Sequence, residues 1–438
     1  MAKLNKAARS HNVRIVRPDS EVFIVGGNSL FRAAQNLGVT IPAWSIRCPI
    51  VVDALVKAHI EDFKFPMLFE IAASEGGLDG GYTGLTIERL FDYVVDTNVA
   101  LGNVGEKAMP IVVHRDHNTI KNEDGIPKAI AIGVKGIEMG VTSMSIDASH
   151  HGNADDVQKT ATLCRKIVDG IMEKFPKWYF KFMGLELEVR DVGSDKTTSA
   201  EELVKFGKLL RSFGYEHFAI AAHTGTRHGN FEVDPKELRA AMEEGKKGLQ
   251  ILRAEGINVY GTVQHGTTGV NYDLLHFVPE FGGVKANVAT GFQNVVLGLE
   301  VDPKNGKAIE PKINVNGKSV TWSTKDPNHG ISEGLWKHIE EECFRRGWFG
   351  NDLKKIHLPF NGAIAEEYRT NKKIRDRIDQ EIHAYAKHFV DAFGIKGKNP
   401  AFLASIEEDV RNGMYAEGPE RKVFVMAGTD ADEVKGGD

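Results

Sequence analysis

The stretch PIVVHRDHN (110–118) ends an apolar run with His114, Arg115, Asp116, His117 and Asn118. Two imidazoles flanking a carboxylate at the end of a buried strand can bind a metal, move a proton, or do both. Polar endings recur along the chain. TSMSID (142–147) runs through Asp147 into Ser149, His150 and His151, and FMGLELEV (182–189) carries Glu186 and Glu188. HFAIAAH (217–223) leads into HTGTRHG with His223 and His228, NVYGTVQH (258–265) ends on His265, and GVKANVA (283–289) carries Lys285 and Asn287. One such histidine would be a hydrogen-bonded loop residue. His117, His228 and His265 together, each beside a glycine or a small polar loop, point to a divalent transition metal. Neutral imidazole favours zinc, with cobalt, iron and manganese as alternatives. Gly229 and Gly266 follow two of these histidines and let backbone N–H groups approach a ligand. The turn Gly266, Thr267, Thr268, Gly269 exposes N–H groups of the kind that hold a phosphate.

The bulk properties narrow the class. The net charge of −5 argues against nucleic acid as a partner, and no apolar run is long enough for a membrane span. The first residues are basic but lack the apolar core of a secretory signal. Cys48, Cys164 and Cys343 are too few and too scattered for a disulfide framework or a CxxC zinc site, so a reducing, cytoplasmic setting is expected and any metal must rest on His and carboxylate ligands.

Eight short apolar runs must position these groups. IPAWSI (41–46) and PMLFEIA (66–72) precede the runs already quoted, and PIVVH (110–114) is the third. Amphipathic segments lie between them. SAEELVKFGKLLRSFG (199–214) has Ser199 and Glu202 in a capping-box pattern, and DPKELRAAMEEGKKGLQILRAEG (234–256) sets Asp234 before Pro235. Eight strands alternating with helices predict a (β/α)8 TIM barrel over 41–300. A doubly wound open sheet is the competing reading, but its GxGxxG or GxxxxGK[ST] turn is missing. An N-terminal extension (1–40), an exposed excursion (301–330), a helical C-terminal extension (331–415) and a polar tail (416–438) flank the barrel. The C-terminal ends of barrel strands carry the chemistry of such folds, which is where the polar residues fall.

The order of motifs resembles the class II, metal-dependent fructose-bisphosphate aldolases and their tagatose-bisphosphate relatives. IPAWSIRCPIVVDALVKAHIEDFKFPMLFEIAASEG, VVHRDHN, SMSIDAS, LELEV, AAHTGTRHGNF, VQHGTTG and VKANVATGFQ carry the likeness over residues 41–300. The resemblance implies roles. In H-x-D-H the aspartate, Asp116, is the acid/base and the last histidine, His117, binds zinc. His228 and His265 complete the zinc ligands, and Glu188, the second glutamate of E-x-E, is an alternative ligand. Asn287 contacts substrate, and Asp147 holds a zinc histidine from behind. Gly229, Gly266, Thr267, Thr268, Thr290, Lys285, Arg227 and Ser45 fall at substrate- or phosphate-binding positions. The activity implied is reversible retro-aldol cleavage of a ketose (bis)phosphate such as fructose 1,6-bisphosphate to dihydroxyacetone phosphate and an aldehyde. The ion acts as Lewis acid and Asp116 takes the hydroxyl proton beyond the breaking bond. No covalent lysine is needed, although Lys285 on a barrel strand would by itself suggest a Schiff base. The resemblance also implies a place in carbohydrate metabolism, in glycolysis, and a homodimer or larger homo-oligomer.

The chain departs from the family pattern mainly around substrate. Trp44 and Ser45 stand where Phe and Asn are usual, Thr267 and Thr268 replace G-S, and Ala289 replaces an aspartate that contacts a substrate hydroxyl. Arg190 and Asp191 follow E-x-E, and Asp195 is a poor match for the mobile-loop glutamate. Arg47, Arg115, Arg190 and Arg227 either pair with neighbouring carboxylates or serve an altered anionic substrate such as a sugar acid. Two other readings stay open: an epimerase of sugars or sugar phosphates using the same retro-aldol site, and a non-catalytic relative that keeps the metal for stability or assembly.

Overall fold

A computed structural model describes residues 8, 17, 20–105, 108–150, 156–175, 179–190, 196–226 and 233–415. The eight apolar runs form eight strands: β1 (Ile41–Ser45), β2 (Met67–Ala72), β3 (Ile111–Thr119), β4 (Ser143–Asp147), β5 (Gly184–Glu188), β6 (Phe218–Ala221), β7 (Val259–Gln264) and β8 (Gly283–Val288). They close in sequence order into one barrel, with β1 paired in parallel to both β2 and β8. The (β/α)8 expectation holds and the open-sheet alternative does not. Almost every strand residue is buried, as expected of strands covered on one face by helices and filled on the other by side chains.

The principal helices are α1 (Gly27–Leu37), α2 (Ile50–Ala58), α3 (Ile87–Ala100), α4 (Gly125–Glu138), α5 (Val157–Met172), α6 (Ala200–Ser212), α7 (Pro235–Ala254), α8 (Thr290–Leu297), α9 (Glu333–Arg346), α10 (His357–Thr370), α11 (Lys372–Ala392) and α12 (Asn399–Arg411). Local chemistry starts several of them. Thr86 caps α3, and Asp156 accepts from Gln158 N and Lys159 N at α5. Ser199 and Glu202 form the full capping box of α6, and Asp234 caps α7 ahead of Pro235. No described helix is long and apolar enough to cross a membrane.

The flanking segments close the barrel floor and cover its side. From the N-terminal extension, α1 enters beneath β4 and β5, with Gly27 N donating to Thr142 O at 2.9 Å. A Cβ on Gly184 would lie 2.8 Å from the Cα of Gly27, so only glycine permits this approach. The C-terminal α12 packs on α1, and Arg32 pairs with the fully buried Asp409 at 2.5 Å. The excursion carries an antiparallel hairpin, β9 (Lys312–Val315) and β10 (Lys318–Thr321), on the surface. Long α11 lies against α2 and α8, outside β1 and β8.

Strand β3 differs from its expected extent: it continues past His114 to Thr119. The reason is a bulge, described below, that lets polar residues remain in the ladder.

Removing the arginine of the floor would strand a carboxylate. Arg32→Ala should lower stability by roughly 2–3 kcal/mol, less than for a wholly buried pair because Arg32 is 20% exposed. A leftward shift of the urea midpoint with an unchanged slope checks this, and an unshifted midpoint contradicts it.

Candidate active site

Strict alternation along β3 would place Asp116 inside the barrel and His117 outside it. The register with β4 shows otherwise. Arg115 pairs with Met144 and Asn118 with Ile146, so Asp116 and His117 together oppose the single Ser145. This is a bulge of one extra residue, and His117 takes it up with φ +44°, a left-handed conformation uncommon outside glycine. The bulge turns both Asp116 and His117 toward the site. The next side chain, Asn118, points outward and donates to Ala129 O at 2.8 Å, on α4. A strained backbone is thus what sets an acid/base candidate and a ligand candidate side by side.

His265, from the end of β7, meets them. Its Nδ1 lies 3.0 Å from His117 Nε2, and its Nε2 lies 2.8 Å from Glu186 Oε1. With Glu186 accepting the Nε2 proton, the network assigns the tautomer whose Nδ1 lone pair faces His117. On its other side, His117 Nδ1 approaches Glu188 Oε1 at 3.0 Å, and that oxygen also accepts from Ser145 Oγ at 3.0 Å. Donor atoms of Asp116, His117 and His265 lie within 4.8 Å of one another, as do those of His117, Asp147 and Glu188, and those of Glu186, Glu188 and His265. Two imidazoles with surrounding carboxylates and no thiolate fit zinc or a neighbouring divalent transition metal.

Burial and charge shape the acidities. Burial opposes ionisation of Asp116, but His117 and Lys285 outweigh it and hold the carboxyl well below the usual carboxylate range. Glu186 is likewise carried down, to about 2, against burial by Lys285 and His265. Burial pushes Glu70 well above its ordinary value despite Lys285, and Glu188 upward with Asp147 adding to the effect. Burial and the nearby Lys285 ammonium bring His114 down to about 4, so its ring is neutral. Asn287 donates from Nδ2 to Asp116 Oδ2 at 3.1 Å, leaving Asn287 Oδ1 as a buried acceptor with no partner among the described residues.

The other expected positions are spread around this centre. Asp147 accepts from Thr119 Oγ1, Ser149 N and Ser149 Oγ, and lies 3.3 Å from His150 Nε2. Gly266 and Gly269 adopt φ of +64° and +96°, which keeps the intervening turn tight. Thr267 donates to Gln264 O at 3.5 Å, and Thr268 Oγ1 accepts from Gly291 N at 3.4 Å. Thr290 Oγ1 accepts from Arg47 at 3.3 Å. Ser45 Oγ donates to Glu75 Oε2 at 3.0 Å.

Lys285 does not reach the mouth. It is fully buried, and its ammonium faces Glu186, Glu70, His114 and Asp116. Of the arginines, Arg47 pairs with Glu75 at 2.8 Å, Arg190 pairs with Glu202, and Arg115 donates to Gly76 O at 2.6 Å. Arg227, His228 and Gly229, together with His151 and Asp195, lie outside the described residues.

Glu70 and Glu75 are participants that pattern reading missed. The signal for Glu70 was present: a lone charge inside the apolar PMLFEIA. Glu75 gave no comparable signal, because a glutamate in the glycine-rich SEGG reads as an ordinary loop residue.

Known proteins give independent findings. The family described as "Fructose-bisphosphate aldolase class-II" matches residues 25–305. A probable fructose-bisphosphate aldolase of Bacillus subtilis is 24% identical over 61% of this chain and 81% of its own. A fructose-bisphosphate aldolase of Geobacillus stearothermophilus is 23% identical over 54% of this chain and 70% of its own. The fold is shared with a crystal structure of fructose-bisphosphate aldolase from Campylobacter jejuni, with TM-score 0.51 and 13% identity over 86% of this chain and 96% of that one. With well over half of its length matched to the family, the chain belongs to the class-II fructose-bisphosphate aldolases.

Proposed function

We propose that the protein is a metal-dependent aldolase that reversibly cleaves a ketose phosphate, such as fructose 1,6-bisphosphate, into dihydroxyacetone phosphate and an aldehyde. The observation carrying this reading is the 3.0 Å approach of His117 and His265, from strands far apart in sequence, beside Asp116. His117 and His265 would hold the ion, with His228 as third imidazole and Glu188 as an alternative ligand. When bound, a divalent ion such as Zn²⁺ polarises the ketose carbonyl as a Lewis acid.

The protein's own groups do the rest. Asp116, held ionised, accepts the proton of the hydroxyl on the carbon beyond the breaking bond. The electrons of that O–H bond form the aldehyde carbonyl, and the C–C pair passes into the ketone fragment, which is released after protonation. Asn287 orients Asp116 through its Nδ2, and its free Oδ1 offers an acceptor to a substrate hydroxyl. Backbone N–H groups of Gly266 to Thr268, with Thr290 and with Arg227 and Gly229, supply the phosphate site. Asp147, close to His117 and Glu188, would hold that histidine from behind. We read the protein as cytoplasmic, a reading supported by three buried free thiols, and as the homo-oligomer its family favours.

Asp116→Asn should cut turnover by about 10²- to 10⁴-fold while the protein still binds one zinc per chain, a pairing checked by steady-state assay and metal analysis. Wild-type turnover in this variant would remove Asp116 from the mechanism. Exhaustive chelation should abolish cleavage, and zinc, cobalt, iron or manganese should restore it. Free triose should accumulate during that assay, which an epimerase would not release. Cleavage that persists after complete metal removal would overturn the proposal.

A further inference from the structure

Resting on the metal-centred reading above, we propose that Lys285 is a positioning residue whose ammonium fills a cation nook beneath the site and, through Glu186, sets His265 for the metal. Donor atoms of Glu70, His114 and Asp116 cluster within 4.8 Å of one another, a grouping that could itself hold a metal ion. Lys285 Nζ already stands among them. It lies 2.8 Å from Glu186 Oε2, 3.0 Å from Glu70 Oε2 and 3.1 Å from His114 Nε2, with Asp116 Oδ1 farther off at 3.7 Å.

The hydrogen-bond directions are consistent. Ser143 Oγ donates to Gly184 O, so toward His114 it acts as acceptor of the Nδ1 proton. His114 Nε2 then turns a lone pair to Lys285. Two of the three ammonium N–H donors go to Glu186 Oε2 and His114 Nε2, Glu70 Oε2 adds a close ion-pair contact, and the whole group is buried. Glu186 takes the ammonium on Oε2 and His265 Nε2 on Oε1. The order Lys285–Glu186–His265 therefore runs from the barrel interior to the ligand. It resembles the carboxylate–histidine supports behind metal centres, with a fixed cation added beneath the carboxylate. Without that cation, the carboxylates of Asp116 and Glu186 would face a buried space with their nearest compensating charge removed.

The test measures zinc affinity of the full-length chain, without sugar, by competition with a chromophoric chelator. Lys285→Met, which keeps bulk and removes charge, should weaken zinc binding by about 10- to 100-fold. Glu186→Gln should do the same, and the double variant should lose no more than either single, because the two act in series. Lys285→Ala should regain zinc affinity in propylammonium, whereas Lys285→Met, with the nook filled, should not. Unchanged zinc affinity in Lys285→Met or in Glu186→Gln, or losses that multiply in the double variant, would overturn the proposal. Should Lys285→Met fail to fold, the Glu186→Gln affinity and the amine response of Lys285→Ala decide the matter alone. A wild-type chain that binds zinc yet cleaves no ketose phosphate would defeat the functional reading and leave this one standing.

Discussion

Among the described residues six carboxylates, those of Glu70, Glu75, Asp116, Asp147, Glu186 and Glu188, are buried in or at the mouth of this barrel. That much negative charge cannot stay in a low-dielectric interior unless it is answered at close range. The barrel answers it in tiers. At the bottom, the Lys285 ammonium meets Glu186 and Glu70 at 2.8 and 3.0 Å. Above it, the imidazoles of His265 and His117 take the remaining oxygen of Glu186 and one of Glu188. Burial pushes Glu70 and Glu188 toward the protonated form, which reduces the charge further. Asp116, held ionised, faces the position where a divalent cation suits the donor set, and Glu186, also held ionised, stands behind His265. The demand for charge compensation thus orders the residues along the barrel axis.

Geometry had to be bent to meet that demand. A regular strand shows every second residue to the interior, so neighbours cannot both serve the site. The bulge at Asp116 and His117, with His117 in the left-handed region, breaks this rule at one point and restores it at Asn118. Left-handed backbone at a non-glycine residue costs on the order of 1 kcal/mol or more. The surrounding ladder, continuous from Ile111 to Thr119, holds it in place.

Much of this was legible in the sequence. Parallel strands buried on both faces are near-continuous apolar runs, and all eight stood out with their polar ends. The side of the barrel on which His117, His265, Asp116 and Glu188 lie followed from strand direction alone. Depth and phase did not. Lys285 and Asn287 look equivalent in GVKANVA, but Lys285 pairs with Ile41 at the base of β1 and Asn287 with Ala43. Two residues along a strand are about 6.6 Å, enough to separate an internal cation from a group at the reacting centre. The bulge was invisible because HRDHN read as a strand running into a loop. The arginines were left between two roles, and no pattern of spacing could choose, since their partners Glu75 and Glu202 come from a loop and a helix.

Departures from the family pattern at Trp44 and Arg47 lie where the C-terminal extension touches the barrel mouth. The matched segment ends at residue 305, yet Asn361 of α10 donates to Arg47 O and to Thr83 O, both at 3.0 Å, and His357 lies 3.1 Å from Gln293 Oε1. Arg47 is tied in turn to Glu75, which also accepts from Tyr82 at 2.9 Å. Trp44, where a phenylalanine is usual, donates to His59 and packs edge-on against Phe292, which packs against Tyr385 of α11. Tyr385 in turn presses on Gly291, where any Cβ would meet its hydroxyl at 1.9 Å. The β1 and β2 loops and the start of α8 are therefore braced by helices that lie beyond the matched segment. Groups deep in the barrel are constrained by charge and leave little room for variation. The rim answers to what packs on it, so the shape of that edge is set by His357, Asn361 and Tyr385 as well as by the barrel's own loops.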